Sequence, residues 1–495
     1  MNKVLEFISN NLRFPSYSEM GHMGITREFI RYHYGNITQF KEYVLKCNPS
    51  LLSKFTIKKS KLQSKLYVVT TVFAGHRVNK NFFKALKLYT KTNNAELLII
   101  PVGIDTGIFD PILKNECFID REVYLNSNLQ IIPFDTNITE SDPISSVTRI
   151  VKKQSSLIIP SSKLRLKYIP IKKESIPRAV MTTGTLCELT NNSITTKRRY
   201  LGVSDMVNSA IVVRIENDEF FHFRQLLFKN NSFVDLGKQY SNTGVKTNSN
   251  GICVLGDLHV GHTDLTFLQD AITLLKRIKI KTIFLHDVFD AYSISHHDLK
   301  KELMIGIKKY SGKGSLKKEL DLYVQMLDQL SKDFNIYIVK SNHDEHLERY
   351  LIEGRFMTDY ENQKLGLQLA HYIYDGKNPL QEYYLQNSKS KQKQRITWLS
   401  RDSSFEFGGN ELAQHGDVGA NGSYASIKQL EALFGNIVFG HTHSPEIFHG
   451  AWCVGTSTKP FPFYGIGPSS WMQTFCIIYD NGGKQLINYV NGKLC

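Results

Sequence analysis

The sequence predicts an α/β (α+β) protein built in three parts. Short apolar runs typical of buried strands alternate with segments of helical spacing along most of the 495 residues. A polar stretch at 239–250 (QYSNTGVKTNSN) precedes a strong strand, and the net charge changes at the same place. We therefore expect a small helical domain in residues 1–57, a basic α/β domain in residues 66–240 and a further α/β domain in residues 250–495.

The first part reads as short helices around turns. Thr26 is placed to cap a helix that carries Phe29 on its first turn, Gly35 interrupts the pattern, and residues 37–44 restart it. Basic side chains accompany the turn: Arg27, Arg31 and His33. This arrangement is typical of helix-turn-helix DNA-binding modules and equally of helical hairpins without that function.

The second part begins with a strand, a helix and a strand. Residues 66–73 and 97–102 are apolar runs, and residues 81–91 between them have helical spacing. Such a unit is typical of α/β domains. The sequence leaves the role of this domain open between gripping DNA, binding another partner and forming a homo-oligomer.

The positive charge is concentrated before residue 248. The chain has 61 Lys+Arg against 46 Asp+Glu, a net charge of +15, while residues 248–495 hold 26 of each. The basic clusters are Lys58, Lys59, Lys61 and Lys65, then Lys163, Arg165, Lys167, Lys172 and Lys173, and then Lys197, Arg198 and Arg199. Such asymmetry favours a polyanionic partner such as DNA, and a solvated basic surface explains it equally well.

Composition also argues against membrane and secreted classes. The apolar runs are far shorter than the ~20 residues that a membrane-spanning helix needs. The N-terminus lacks the apolar core and cleavage site of a secretory signal. Seven scattered cysteines without a Cys-x-x-Cys pair favour a reducing compartment, without disulfides or a zinc-thiolate site. We expect a cytoplasmic protein with no membrane partner.

Five motifs in the third part carry metal-ligand side chains. Each follows an apolar run: Asp257-Leu258-His259, then His286-Asp287-Val288-Phe289-Asp290, then Asn342-His343-Asp344, then His415, and finally His441-Thr442-His443. The carboxyl ends of parallel strands are where open α/β sheets place their ligands. Imidazoles with carboxylates suit first-row divalent metals. A single motif fits a helix cap or a core histidine, but all five together indicate a metal site.

The order of these motifs over residues 250–450 resembles the signature of calcineurin-like metallophosphoesterases. The matching elements are Asp-x-His, Asp-x-x-Asp, Asn-His-Asp, a lone His and Gly-His-x-His. The resemblance implies a four-layer αββα sandwich for residues 250–495. Two positions depart from the family pattern, because His286 and Ser341 stand where the family usually has glycine.

The resemblance also implies a dinuclear centre. One metal would be bound by Asp257, His259 and His443, the other by Asn342, His415 and His441, and Asp287 would bridge both. The two ions would be divalent, with Mn²⁺ favoured over Mg²⁺, Fe²⁺ and Zn²⁺. A metal-bound hydroxide would attack the phosphorus. His343 would be the catalytic histidine, and Asp344 would orient its imidazole.

Two local features resemble particular groups within this family. Asn-His-Asp is similar to the DNA-processing, repair-exonuclease-like branch of the family. The pair His296-His297 and the segment Leu347–Leu351 resemble a group of DNA-degradation proteins from T5-like phages. His286, His296 and His297 are candidates for contacting substrate, and for the last two a surface histidine pair is equally consistent.

The leading hypothesis is a metal-dependent DNase, phage-encoded and acting in host DNA degradation in the host cytoplasm. The basic N-terminal half would hold the DNA and the C-terminal half would cut it. A second hypothesis is a phosphatase or phosphodiesterase for proteins or small phosphate esters, since the same metal core serves these reactions. A third is a DNA-binding host-takeover protein with a structural metal site.

Overall fold

A computed structural model describes residues 1–48, 64–103, 108–136, 142–151, 155–171, 177–189, 205–459 and 467–494. The chain divides into two compact units. The first comprises Met1–Arg165 and Ala179–Lys246, and the second comprises Leu166–Arg178 and Thr247–Cys495. Both contain helices and sheets, which confirms the mixed α/β class.

The first unit opens with four helices. Their bounds are Asn2–Asn11, Tyr17–His22, Arg27–Tyr34 and Ile37–Cys47. Thr26 caps the third helix as predicted, because its Oγ1 accepts the Phe29 backbone N–H at 3.2 Å. Gly35 ends that helix with a φ of 79°, which glycine adopts without steric cost. One apolar face of these helices is buried, with Val4, Ile8, Met20, Ile30, Phe40 and Val44 in its core.

The predicted strand–helix–strand unit is confirmed. The strands Leu66–Phe73 and Glu96–Val102 pair in parallel, and the helix Lys80–Asn93 connects them. They belong to a five-stranded sheet in the order Phe221–Leu227, Ser209–Ile215, Leu66–Phe73, Glu96–Val102 and Cys117–Phe118. The helix buries Phe82, Leu86 and Tyr89 against this sheet.

Shorter elements complete the first unit. Another group of strands has the order Arg178–Thr182, Ser156–Ile159, Leu129–Ile131 and Val123–Asn126, and a short helix spans Thr148–Val151. A three-stranded sheet is formed by Ser232–Asp235, Lys238–Ser241 and Val245–Thr247. The polar stretch 239–250, at the predicted boundary between the second and third parts, is therefore partly strand. Most residues of this stretch are polar, but Tyr240 is buried, and its ring lies 5.4 Å from that of Phe233.

Two of the predicted basic residues do not face solvent. Lys163 and Arg165 are 1% and 2% exposed. Their charges lie 3.6 Å from Asp205 and 3.5 Å from Asp142. These two side chains therefore contribute to the core of the unit and not to a basic surface. Other members of the clusters lie outside the described residues: Lys58, Lys59, Lys61, Lys172, Lys173, Lys197, Arg198 and Arg199.

The main sheet of the second unit has seven strands. Their order is Ile396–Trp398, Asn335–Ile338, Thr282–Leu285, Gly251–Val254, Thr474–Tyr479, Lys484–Val490 and Lys493–Leu494. The first four are parallel to one another. The three strands that precede the Asp257, Asp287 and Asn342 motifs are thus adjacent, and the prediction that they share one sheet edge is confirmed.

A second sheet in this unit presents the remaining motifs. Its strands are ordered Glu406–Phe407, Asn410–Glu411, Ile437–Phe439, Ala451–Cys453, Glu446–Phe448 and Arg165–Ile169. Asn410–Glu411 runs parallel to Ile437–Phe439, so the loops bearing His415 and His441 leave the sheet side by side.

Helices of the second unit flank these sheets. They span Leu265–Arg277, Glu302–Tyr310, Leu316–Leu330, Asn342–Ile352, Gln363–Tyr374, Pro379–Asn387 and Ile427–Phe434. Short 3-10 helices include Tyr292–Ile294, His296–Asp298 and Arg355–Thr358. Among the described residues, no helix combines the length and the apolar character needed to cross a membrane. The six described cysteines are free, as predicted.

Candidate metal centre

The loops after the central strands are held together through their backbones. The Leu258 N–H donates to the His286 carbonyl at 3.0 Å, and the His259 N–H donates to the Asp287 carbonyl at 2.7 Å. Four residues of the site have left-handed backbones: His259 (φ 46°), Asp287 (φ 45°), His441 (φ 76°) and His443 (φ 59°). Such angles are uncommon outside glycine and cluster at functional sites.

One group of buried side chains converges on a point between the two sheets. Asp257, His259, Asp287 and His443 each offer a ligand atom, and these atoms lie within 4.8 Å of one another. His443 Nε2 is 3.2 Å from Asp257 Oδ2 and 3.0 Å from His259 Nε2. All four residues are buried. This group could hold a metal ion.

A second group lies beside the first and shares Asp257 with it. Its other members are His286 and His415. The Nδ1 atoms of these two imidazoles are 3.2 Å apart. His415 Nε2 is also 3.3 Å from Asp287 Oδ2. His286 was expected to contact substrate, but it is completely buried, so it is placed among the candidate ligands instead.

The other two expected ligands lie close to these groups without forming part of them. The His441 ring centroid is 5.2 Å from that of His415, and the His441 backbone N–H donates to Asp257 Oδ2 at 2.7 Å. Asn342 is the first residue of the helix Asn342–Ile352, and its Oδ1 is buried.

Several buried polar atoms of the site lack a hydrogen-bond partner among the described residues. They are Asp257 Oδ1, Asp287 Oδ1 and Asn342 Oδ1. Buried polar atoms in proteins are nearly always hydrogen-bonded, so such a concentration needs a compensating ligand. A divalent cation would satisfy carboxylate, amide and imidazole atoms together. The side chains present therefore fit a metal.

The pKa values of these side chains also indicate that the buried carboxylates of the site are stabilised by positive charge. Burial lowers the pKa of His415, but the neighbouring Asp287 outweighs burial and raises it to about 9. Burial likewise lowers the pKa of His259, and Asp290 and Asp287 raise it to about 9. Burial opposes ionisation of Asp287, yet His415 and His343 hold its pKa well below the usual range. Protonated histidines thus supply the positive charge that a bound metal would provide.

His343 is held at the edge of the first group. Its Nδ1 donates to the Asp290 backbone carbonyl at 2.7 Å, and its ring centroid is 4.7 Å from that of His259. The side chain is 25% exposed, so it can meet a molecule in solution. Asp290 also accepts a bond from His259 Nδ1 at 2.7 Å. Asp290 was visible in the sequence as the last residue of Asp-x-x-Asp, but no role was assigned to it.

Asp344 does not orient His343, which corrects the role expected for it. Its carboxylate accepts the Ser341 backbone N–H at 3.1 Å, and its own N–H donates to Ser341 Oγ at 3.3 Å. This reciprocal pair caps the helix Asn342–Ile352. Successive helical residues point about 100° apart, so Asp344 turns inward where His343 faces the site. Burial raises the pKa of Asp344 to about 7.

Glu319 supports the segment that follows Asp290. Its carboxylate accepts the Tyr292 N–H at 2.8 Å, the Ser293 N–H at 3.0 Å and the Ser293 hydroxyl at 2.5 Å. Burial raises the pKa of Glu319 to about 7, although these hydrogen bonds oppose the shift. The ionised Glu319 carboxylate is therefore destabilised by burial, and this lowers the free energy of unfolding as the pH rises.

We expect Glu319→Gln to remove part of the pH dependence of stability. The folded chain binds the Glu319 proton more tightly than the unfolded chain, so this contribution to stability is lost as pH rises from about 4.5 to about 7. In EDTA, the free energy of unfolding of the variant minus that of the wild type should therefore rise by on the order of 2–3 kcal/mol between pH 5 and pH 8. Urea denaturation at both pH values measures this, and an equal difference at both would contradict it.

The predicted substrate histidines lie farther from the convergence point. His296 and His297 form part of the short helix His296–Asp298. Their rings are 3.9 Å apart, and the His296 ring is 4.6 Å from that of His346. His346 belongs to none of the motifs that indicated the site in the sequence.

The structure thus defines a mixed α/β protein with buried His/Asp groups that could hold a metal ion. The chain is similar to Protein A1 of Escherichia phage T5, with 28% identity over 464 residues that cover 87% of this chain and 83% of that protein. This likeness supports relatedness to a phage protein, and it is too long to fall within either unit alone. No protein-family model and no solved structure matches the chain.

Proposed function

We propose that this chain is a calcineurin-like metallophosphoesterase that hydrolyses DNA phosphodiester bonds at a dinuclear metal centre. The observation that carries the proposal is the pair of buried ligand groups that share Asp257, with His343 at their edge. The presence of two sheets together with several helices in the second unit is consistent with the αββα sandwich of that family.

The side chains divide naturally between two ions. Asp257, His259 and His443 would bind one, and His415, Asn342 and His441 the other. Asp287 Oδ2 is 3.6 Å from His259 Nε2 and 3.3 Å from His415 Nε2, and this position supports a bridging role for Asp287. His286 would support the second ion, beside His415. When bound, two divalent ions polarise a phosphoryl oxygen and generate a nucleophile from water, and the mixed ligands favour Mn²⁺.

His343 would donate a hydrogen bond or a proton at the reacting phosphate. The bond from Nδ1 to the Asp290 carbonyl fixes the ring and leaves Nε2 as the nitrogen that can contact substrate. Nε2 would donate a hydrogen bond to a phosphoryl oxygen or a proton to the leaving oxygen. Asp290 and Glu319 would act as positioning residues, since they order the segment that holds this ring.

Two observations favour DNA over small phosphate esters. The entire net charge of +15 lies before residue 248, in the half that does not carry the metal motifs. The relative in phage T5 is matched over most of its length, so the basic half belongs to the shared protein. In this proposal the enzyme is phage-encoded, and it degrades host DNA in the host cytoplasm.

Incubation with defined substrates tests the proposal. Linear and covalently closed circular DNA, and a phosphate monoester, are each treated with the protein in Mn²⁺, in Mg²⁺ and in EDTA. We expect DNA cleavage in Mn²⁺ that EDTA abolishes, with the monoester hydrolysed slowly or not at all. Intact DNA together with rapid monoester hydrolysis would contradict the proposal and favour a phosphatase.

A further inference from the structure

A row of histidines extends from the candidate metal centre to the protein surface. His343 and His346 are three residues apart on one helix and therefore lie on the same face, with ring centroids 5.0 Å apart. The His296 ring is 4.6 Å from that of His346, and the His297 ring is 3.9 Å from that of His296. His343 is at the end of the row nearest the candidate metal centre and is partly exposed, and His297 is exposed.

The middle of this row has unused hydrogen-bonding capacity. Within the described part of the chain, the His346 ring makes ring contacts but no hydrogen bond. His296 Nδ1 is buried and likewise has no hydrogen-bond partner there. Burial and the nearby His343 lower the pKa of His346 to about 3, so its ring is neutral and keeps one N–H donor. The buried, unpartnered Nδ1 of His296 beside this ring therefore indicates a ligand with hydrogen-bonding atoms.

The guanidinium of Arg355 lies near His296, because its charge contributes, after burial, to lowering the pKa of that imidazole. Arg355 lines a cavity of about 370 Å³ together with Ser295, although His296 and His346 do not line it. Its Nη1 donates to the Ile294 carbonyl at 3.3 Å, and its Nε is 3.1 Å from Glu353 Oε2. Its Nη2 is buried without a hydrogen-bond partner among the described residues. An arginine with donors to spare is well suited to phosphate.

We propose that His346, His296 and Arg355 form a subsite for the phosphate adjacent to the scissile phosphate on the same DNA strand. This inference rests on the proposed function and specifies how that site holds its substrate. Successive phosphates on one strand rise by about 3.4 Å along the axis of duplex DNA, and because the backbone winds around that axis they are farther apart than this through space. With the scissile phosphate at His343, the neighbouring one is within reach of imidazoles 5.0 Å and then a further 4.6 Å along the row.

Short nucleotides that differ by one phosphate test the subsite. The dinucleotide TpT contains only the scissile phosphate, whereas pTpT and TpTp each add one neighbour on a defined side. We expect the wild type in Mn²⁺ to cleave one of the two longer substrates with a kcat/KM at least about tenfold above that for TpT. In His346→Asn and in Arg355→Lys, this ratio should fall towards one.

The matched control is His371→Asn, because His371 is a largely exposed histidine on the neighbouring helix Gln363–Tyr374 and belongs to no part of the site. This control should keep the wild-type ratio. The subsite is contradicted if the wild type gains nothing from either added phosphate, or if both variants retain the gain. A uniform loss on all three substrates would also contradict it, because it would mean that His346 only positions His343.

A binding measurement separates failure of the subsite from failure of the proposed function. Fluorescein-labelled dT12 is titrated into wild type, His346→Asn and Arg355→Lys in EDTA, where no hydrolysis takes place. We expect affinity at least about fivefold weaker in the two variants than in the wild type. If no nucleotide is cleaved in Mn²⁺ but this difference is found, the subsite stands and the hydrolase fails. Equal affinity in all three proteins would overturn the subsite.

Discussion

Asp287→Asn is expected to weaken Mn²⁺ binding by at least about 100-fold and to reduce DNA hydrolysis below detection. Asp287 is buried between His259 and His415, one from each ligand group, at 3.6 Å and 3.3 Å. Asparagine retains the size of the side chain but removes the negative charge that both ions need. Isothermal titration calorimetry with Mn²⁺ measures the loss.

The control for this variant is Asp333→Asn, since Asp333 is an exposed aspartate paired with Lys276 at 3.0 Å on the surface. It should bind Mn²⁺ as the wild type does. Thermal denaturation in EDTA checks that both variants fold. Wild-type Mn²⁺ affinity in Asp287→Asn would show that this carboxylate is not a ligand and would remove the bridge from the proposed centre.

His343→Ala is expected to lower the rate of DNA hydrolysis by about 10²–10⁴-fold while leaving Mn²⁺ and DNA affinity close to wild type. His343 is held through its Nδ1 bond to the Asp290 carbonyl, and its partial exposure lets it act on a substrate. Its loss therefore removes a proton donor without removing a proposed ligand. Single-turnover cleavage of a labelled duplex, together with Mn²⁺ and DNA titrations, gives the three quantities.

His371→Ala serves as the histidine control, because the His371 side chain is 73% exposed and its Nε2 lies 3.9 Å from the carboxylate of Asp375. Cleavage by this protein should be unchanged. Wild-type cleavage by His343→Ala would instead show that hydrolysis does not depend on this imidazole and would indicate a catalytic group elsewhere.

Much of the secondary structure could be predicted because apolar runs with clear ends specify it locally. The strand Leu66–Phe73 has the predicted bounds, and Thr26 caps its helix as its sequence position indicates. The stretch 239–250 was harder, because polar residues alternate with the buried Tyr240 in a short strand. Lys163 and Arg165 were misassigned to the surface because charge counts contain no information on burial.

For the site, the sequence predicted which residues converge better than how they contact one another. Asp257, His259, Asp287 and His443 come together because parallel strands deliver their loops to one edge. The Asp290 carbonyl that orients His343 could not be predicted, since any residue has a carbonyl and only the path of the loop decides its neighbour. The neighbours of His286 and His346 could not be predicted for the same reason, because tertiary packing decides which side chains these two histidines contact.

Anomalous diffraction from crystals grown with Mn²⁺ would locate the two metal ions of the proposed centre. We expect two peaks about 3.5–4 Å apart. One should lie among Asp257, His259 and His443, and the other beside His415, with Asp287 between them. Crystals with Mn²⁺ bound only elsewhere, or with no peak in this cluster, would contradict the dinuclear centre on which the proposed DNA hydrolysis depends.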